Sequence, residues 1–179
     1  MLVLLVGFVI LPAQVAEEKE KKLLLALLQA PIPEMLWLLA KVVLGMVLIF
    51  SGVVLLQLLS RFPPPHLFDY LVLLVAGSFC FSAYGVLLGF LCRTQASART
   101  LGMIFYLPHL LPSALSDVSQ PLGAVAPFLP SYWLFNPLQA LLLEEGRLAD
   151  MPFDWIGLFL LGSLMIGASY RLMKRRWLM

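Results

Sequence analysis

Charge is what this chain of 179 residues has least of. Asp, Glu, Lys and Arg make up 12% of it against 61% hydrophobic residues, and the mean hydropathy is +0.96. That leaves too little polar surface for a water-soluble domain of this length, so the class implied is an integral membrane protein. Polar/apolar alternation is missing too, which excludes a transmembrane barrel. The apolar residues fall instead into runs of roughly 15–25, the length at which helices cross a ~30 Å hydrocarbon layer. The net charge of +2 is too small to suggest a nucleic-acid partner.

The chemistry-bearing residues are equally sparse. Only two cysteines occur, Cys80 and Cys92, both on one apolar run, and no disulfide is expected. His66 and His109 stand alone, and neither HExxH nor CxxC is present, so no metal site is expected. No GxxxxGK[ST] phosphate loop occurs, so the chain does not itself bind ATP in the usual way. Asp69 and Asp154 lie at the ends of apolar runs rather than within them, which removes the paired mid-membrane acids of an intramembrane protease. No catalytic constellation emerges, and the chain is not read as an enzyme. Its start is apolar but lacks a basic n-region and a clean A-x-A site, unlike a secretory signal.

What is there is a series of spans with a charged segment among them. Residues 1–15 are short of a full crossing and read as a partial or first span, the tail of a longer helix. Residues 16–28 read as an amphipathic helix: Glu17 with Lys21 and Glu18 with Lys22 are i,i+4 pairs in the favourable order, with the acids placed in its first turn. Ala30-Pro31-Ile32-Pro33 ends it, because proline cannot continue the helical ladder. Residues 35–59 form a full span with Trp37 and Lys41 as interface anchors, and residues 67–91 form the next, after a short loop with three consecutive prolines. A shorter span over residues 100–115 is expected to break at Pro108 and Pro112. Residues 116–145 are apolar but hold Pro121, Pro127, Pro130 and Pro137. They read as a re-entrant or interfacial segment on the outer side, with helix resuming at Asn136. A last span over 153–172 ends in a basic tail, residues 173–179. The fold class is therefore all-α, with about five transmembrane helices.

Orientation follows from the basic residues. Lys19, Lys21, Lys22, Lys41, Arg93, Arg99, Arg171, Lys174, Arg175 and Arg176 fall on one side, and only Arg61 and Arg147 on the other. This positive-inside bias places the charged segment and the carboxy terminus in the cytoplasm, with Asp117, Glu144, Glu145, Asp150 and Asp154 facing outward. Within residues 67–91, Ser78, Ser82, Gly85 and Gly89 repeat on one helix face. Such a stripe of small residues reads as a helix-packing or dimer interface, with the lining of a substrate path as the alternative.

These features together resemble the membrane subunit of a type-two ABC transporter, the permease family of bacterial exporters. The resemblance is carried by VAEEKEKKLLLALLQAPIPEMLWLLAK, by the span ending GVLLGFLCRTQASA, and by LPHLLPSALSDVSQPLGAVAPFLPSYWLFNPLQALLLEEG before a last helix and a basic tail. It implies that residues 16–30 are a cytoplasmic coupling helix acting on an ATPase, with the motif on Glu17, Glu18, Lys19, Glu20, Leu24, Leu27, Leu28 and Pro31. It implies that Pro121, Pro127, Pro130, Asn136 and Pro137 belong to the family's re-entrant segment. It also implies a multi-pass protein of the bacterial inner membrane, dimeric with itself or a second permease, beside an ATP-binding subunit that holds ATP and magnesium. The chain itself would carry no cofactor. Family members have six spans, and the resemblance implies that this chain begins within the second. The alternative function is a non-transporting membrane scaffold or an inactive permease remnant.

Overall fold

The computed structural model describes residues 1–22, 33–60, 65–115, 125–143 and 146–177. These residues are almost entirely helical and include no strand. The chain begins as one rod made of three pieces: α1 (Leu2–Leu5), a π-helical turn (Val6–Ile10) and α2 (Leu11–Glu20). It continues through α3 (Glu34–Ser60), α4 (Leu67–Leu91), α5 (Gln95–Leu115), α6 (Pro130–Leu143) and α7 (Pro152–Trp177), with 3₁₀ turns at Ala126–Phe128 and Leu148–Asp150. Among the described residues, three helices are long and apolar enough to cross a membrane: Glu34–Leu59, Leu67–Leu91 and Pro152–Arg175. The protein is an all-α membrane protein.

The centre of the bundle is α4, the most buried of the three. It packs against the rod, α3, α6 and α7. Its neighbours come close because small residues allow it. A Cβ on Gly85 would overlap the carbonyl oxygen of Gly7 in the rod, and one on Gly89 would lie 2.6 Å from Cβ of Val15. On two further sides, Gly45 of α3 faces Ser82, and Gly162 of α7 faces Phe79 and the backbone of Cys80. In lipid, where apolar surface gains nothing by leaving the tails, contact at backbone distance is what holds helices together. An aromatic cluster fills the space between the rod, α4 and α5: the ring of Phe8 packs edge-on against Phe81 and Tyr84, at 5.5 and 5.2 Å, and lies 4.7 Å from His109. The outward side of α3, with Leu36, Val43, Val47, Val54 and Leu58, stays exposed, as a lipid-facing helix does.

The π turn follows from Pro12. Its missing N–H deprives the carbonyl of Phe8 of its usual donor, and the N–H of Leu11 returns instead to the carbonyl of Val6, five residues back. The carbonyl of Phe8 abuts Gly102 of α5 so closely that no Cβ fits there.

Several element boundaries differ from the sequence reading. The helix that starts the chain does not give way to a new one at residue 16; it runs on to Glu20 and ends where Lys22 adopts a left-handed backbone, φ 56°. Residues 23–32, the rest of the expected amphipathic helix, lie outside the described residues. Helix α5 starts at Gln95 and runs unbroken through Pro108 and Pro112. Prolines are tolerated inside membrane helices where side chains attend to the disturbed turns. Here Nδ1–H of His109 donates to the carbonyl of Phe105 at 2.8 Å, and the hydroxyl of Ser131 donates to the carbonyl of His109 at 2.9 Å. Helix α6 begins at Pro130, ahead of Asn136, because proline suits a first helical position, and it continues through Pro137. Residues 116–124, including Pro121, lie outside the described residues. The last helix extends through the basic residues to Trp177.

These contacts predict opposite effects for two glycine-to-alanine changes. Gly85→Ala forces the rod off α4 and lowers stability by about 1–3 kcal/mol, read as a lower midpoint of thermal unfolding in detergent micelles. Gly167→Ala, at a helical position with nothing within 4 Å of the added carbon, leaves the midpoint unchanged or raises it by the ~1 kcal/mol helix preference of alanine.

Candidate functional site

The charged end of the rod meets three other helix termini. Antiparallel packing brings the end of α2, the start of α3, the end of α4 and the start of α5 to the same end of the bundle, and Glu17-Glu18-Lys19-Glu20 divides its contacts among those three other helices.

Lys19 turns inward and is buried. Its ammonium donates to the carbonyls of Gly89, Phe90 and Cys92 at 3.3, 2.7 and 2.5 Å, and stands 5.8 Å from the ring centroid of Phe90. Helix α4 ends there, with Cys92 already extended at φ −86° and ψ 149°. The last carbonyls of a helix lack intrahelical donors and carry the negative end of its dipole, and an ammonium has three donors to offer them.

Glu20 and Glu17 do the reverse at the start of α5. One carboxylate oxygen of Glu20 accepts from the backbone N–H of Gln95 at 3.0 Å, and one of Glu17 accepts from the Gln95 side-chain amide at 3.0 Å. Anions belong at a helix N-terminus. The same terminus carries a capping box: Oγ1 of Thr94 accepts from the N–H of Ser97, and Oγ of Ser97 accepts from the N–H of Thr94, both at 3.2 Å.

Glu18 ties in α3, its carboxylate ion-paired with Lys41, which lies 5.7 Å from the ring centroid of Trp37. Of the two i,i+4 pairs expected, Glu17 with Lys21 forms, at 2.5 Å. Glu18 pairs with Lys41 instead of Lys22, because the left-handed turn at Lys22 leaves the helical path. The acids also occupy the last turn of α2 rather than the first of a new helix. That end disfavours anions, and the partners Lys21, Lys41 and Gln95 offset it. Gln14, Glu17, Glu18, Lys21, Lys41 and Leu44 line a cavity of about 270 Å³ beside the junction.

The structure brings two of the expected groups together and leaves the third apart. Gly89, the last of the small-residue stripe, supplies a carbonyl to Lys19; Ser78, Ser82, Gly85 and Gly89 are all buried within the chain. Leu24, Leu27, Leu28 and Pro31 lie outside the described residues. Pro127, Pro130, Asn136 and Pro137 sit away from the junction. There Trp133 Nε1–H donates to the carbonyl of Pro127 at 2.9 Å, and the Asn136 amide hydrogen-bonds the carboxyl of Asp154. Toward that end, Val53, Gln57, Tyr70, Leu73, Leu134 and Leu138 are among the residues lining a mainly apolar cavity of about 320 Å³. The sequence reading missed Gln95 and the destination of Lys19. A signal for Lys19 was available, since Phe8, Leu11 and Val15, all fully buried, mark a helix face that Lys19 continues.

The Lys21 ammonium bonded to Glu17 holds the Glu17 carboxyl below the usual carboxylate range. A depressed folded-state value means that the pair acts in full at neutral pH and is lost as the pH falls through the Glu17 pKa. Carboxyl carbon NMR of the labelled protein in nanodiscs is expected to show Glu17 titrating at a lower pH in the native chain than in Lys21→Met.

In comparison with known proteins, residues 1–171 match the family described as ABC-2 family transporter protein. No curated protein and no solved structure matches the chain. With nearly its whole length covered, the chain belongs to the ABC-2 transporter family, as a membrane permease component of an ABC transporter.

Proposed function

We propose that this permease is one half of the translocation path of an ATP-driven exporter, and that residues 17–31 couple it to a separate ATP-binding subunit. The observation that carries the reading is the junction: the acidic-basic segment is joined by hydrogen bonds and an ion pair to the ends of α3, α4 and α5. A push on that segment would reach three membrane helices at once.

The remaining parts of the proposal follow from it. The basic residues of the junction and of the end of α7 face the cytoplasm of a bacterial inner membrane, by the positive-inside rule. ATP and magnesium are held by the partner subunit. A dimer, with a second copy or a related permease, completes the path. Leu24, Leu27, Leu28 and Pro31 form the surface that meets the ATPase, since Glu17, Glu18 and Glu20 are occupied within the chain.

The test is co-expression with candidate ABC ATP-binding subunits from the source genome, followed by pull-down and ATPase measurement. The native chain is expected to retain the ATPase, and Leu24→Glu with Leu28→Glu to weaken retention tenfold or more, equivalent to ~1.4 kcal/mol, while membrane insertion is unchanged. Equal retention by the double variant sinks the docking surface. If no ATP-binding subunit associates with the native chain, the scaffold or remnant reading stands instead.

A further inference from the structure

The charges of the junction are not equivalent. Glu17 and Lys21 are exposed, and Glu18 with Lys41 is half-buried, so solvent and salt weaken both pairs. Lys19 alone is buried, and it is spread over three carbonyls at the end of one helix. That helix is α4, on which the rod, α3, α6 and α7 all lean. Below Lys19 the rod and α4 touch at Gly89 with Val15 and at Gly85 with Gly7, so they cannot slide without separating. Three residues beyond Lys19 the chain leaves its helix through the left-handed Lys22.

We propose that Lys19 is the positioning residue of energy coupling: its ammonium latches the last turn of α2 to the last turn of α4, so that displacement of residues 17–22 by the ATP-binding subunit carries α4 with it. This rests on the coupling reading above and adds to it the route by which movement enters the bundle. The latch needs a compact cation. An ammonium on a flexible stem turns its three donors toward three converging carbonyls, whereas a guanidinium holds its donors in a flat, rigid fork. Methionine keeps most of the stem and removes every donor.

The experiment uses the complex of the chain with its ATP-binding subunit in nanodiscs. One pair of spin labels sits on Lys22→Cys and Leu91→Cys, two exposed positions on either side of the latch, and a separate fluorescent label sits on Leu71→Cys, exposed near the far end of α4. With Lys19 present, the 22–91 distance is expected to be the same in the nucleotide-free and ATP-trapped states, while the label at 71 responds to ATP. In Lys19→Met the ATPase still co-purifies, the 22–91 distance changes on trapping, and the response at 71 is lost. Lys19→Gln, with two donors, is expected to give a reduced response, and Lys19→Arg not to restore the full one.

A 22–91 distance that changes on trapping in the native chain overturns the latch without recourse to any variant. So does a response at 71 in Lys19→Met equal to that of the native protein. Failure of the native chain to retain the ATPase overturns the coupling reading itself, which separates the two outcomes.

Discussion

The close approach of the rod to α4 is the contact on which the remaining packing depends. Two helices in hydrocarbon have little reason to associate through bulky side chains, which are as well solvated by lipid as by each other. Backbone-to-backbone contact is different, because it multiplies dispersion contacts that lipid tails cannot reproduce. With glycine at 85 and 89 on one helix and at 7 on the other, α4 becomes the post around which the bundle is assembled. The burial of Phe8, Phe81 and Leu11 follows from that spacing.

Electrostatics then decides how the charged end is finished. A cation on the carbonyl end of α4 and anions on the amide end of α5 each match the local sign of the helix dipole. A buried ammonium is costly unless its donors are satisfied, and the carbonyls of Gly89, Phe90 and Cys92 are there for that reason. The junction therefore serves two ends. It completes helix termini that would otherwise expose unpaired backbone groups, and it fastens the charged segment to three helices of the bundle.

Parts of this were legible in the sequence. The limits of α4 could be read because the run is bounded by Pro63-Pro64-Pro65-His66 on one side and Cys92-Arg93-Thr94-Gln95 on the other, and no helical continuation competes at either end. The ABC-2 family could be read from the order of its segments. The prolines misled, since Pro108 and Pro137 signal breaks in a soluble chain but sit inside helices here; whether a turn survives depends on distant donors such as Ser131. Gln95, which bonds Glu17 and Glu20, and the carbonyls that hold Lys19 lie seventy or more residues away in sequence, beyond any local pattern. An i,i+4 rule names the pairs a helix permits, and tertiary neighbours choose among them, as Lys41 does for Glu18.

The π turn at Val6–Ile10 has a geometric meaning beyond the missing N–H of Pro12. Successive α-helical residues are set about 100° apart around the axis, and a π turn takes up one residue more than an α turn does. Were these five residues regular α-helix, everything after them would be rotated by roughly that angle relative to everything before. Gly7 could then face Phe81 and Gly85, or Lys19 could reach Cys92, but a single straight helix could not do both. The turn acts as a phase correction, aligning the packing face near one end of the rod with the charged face at the other.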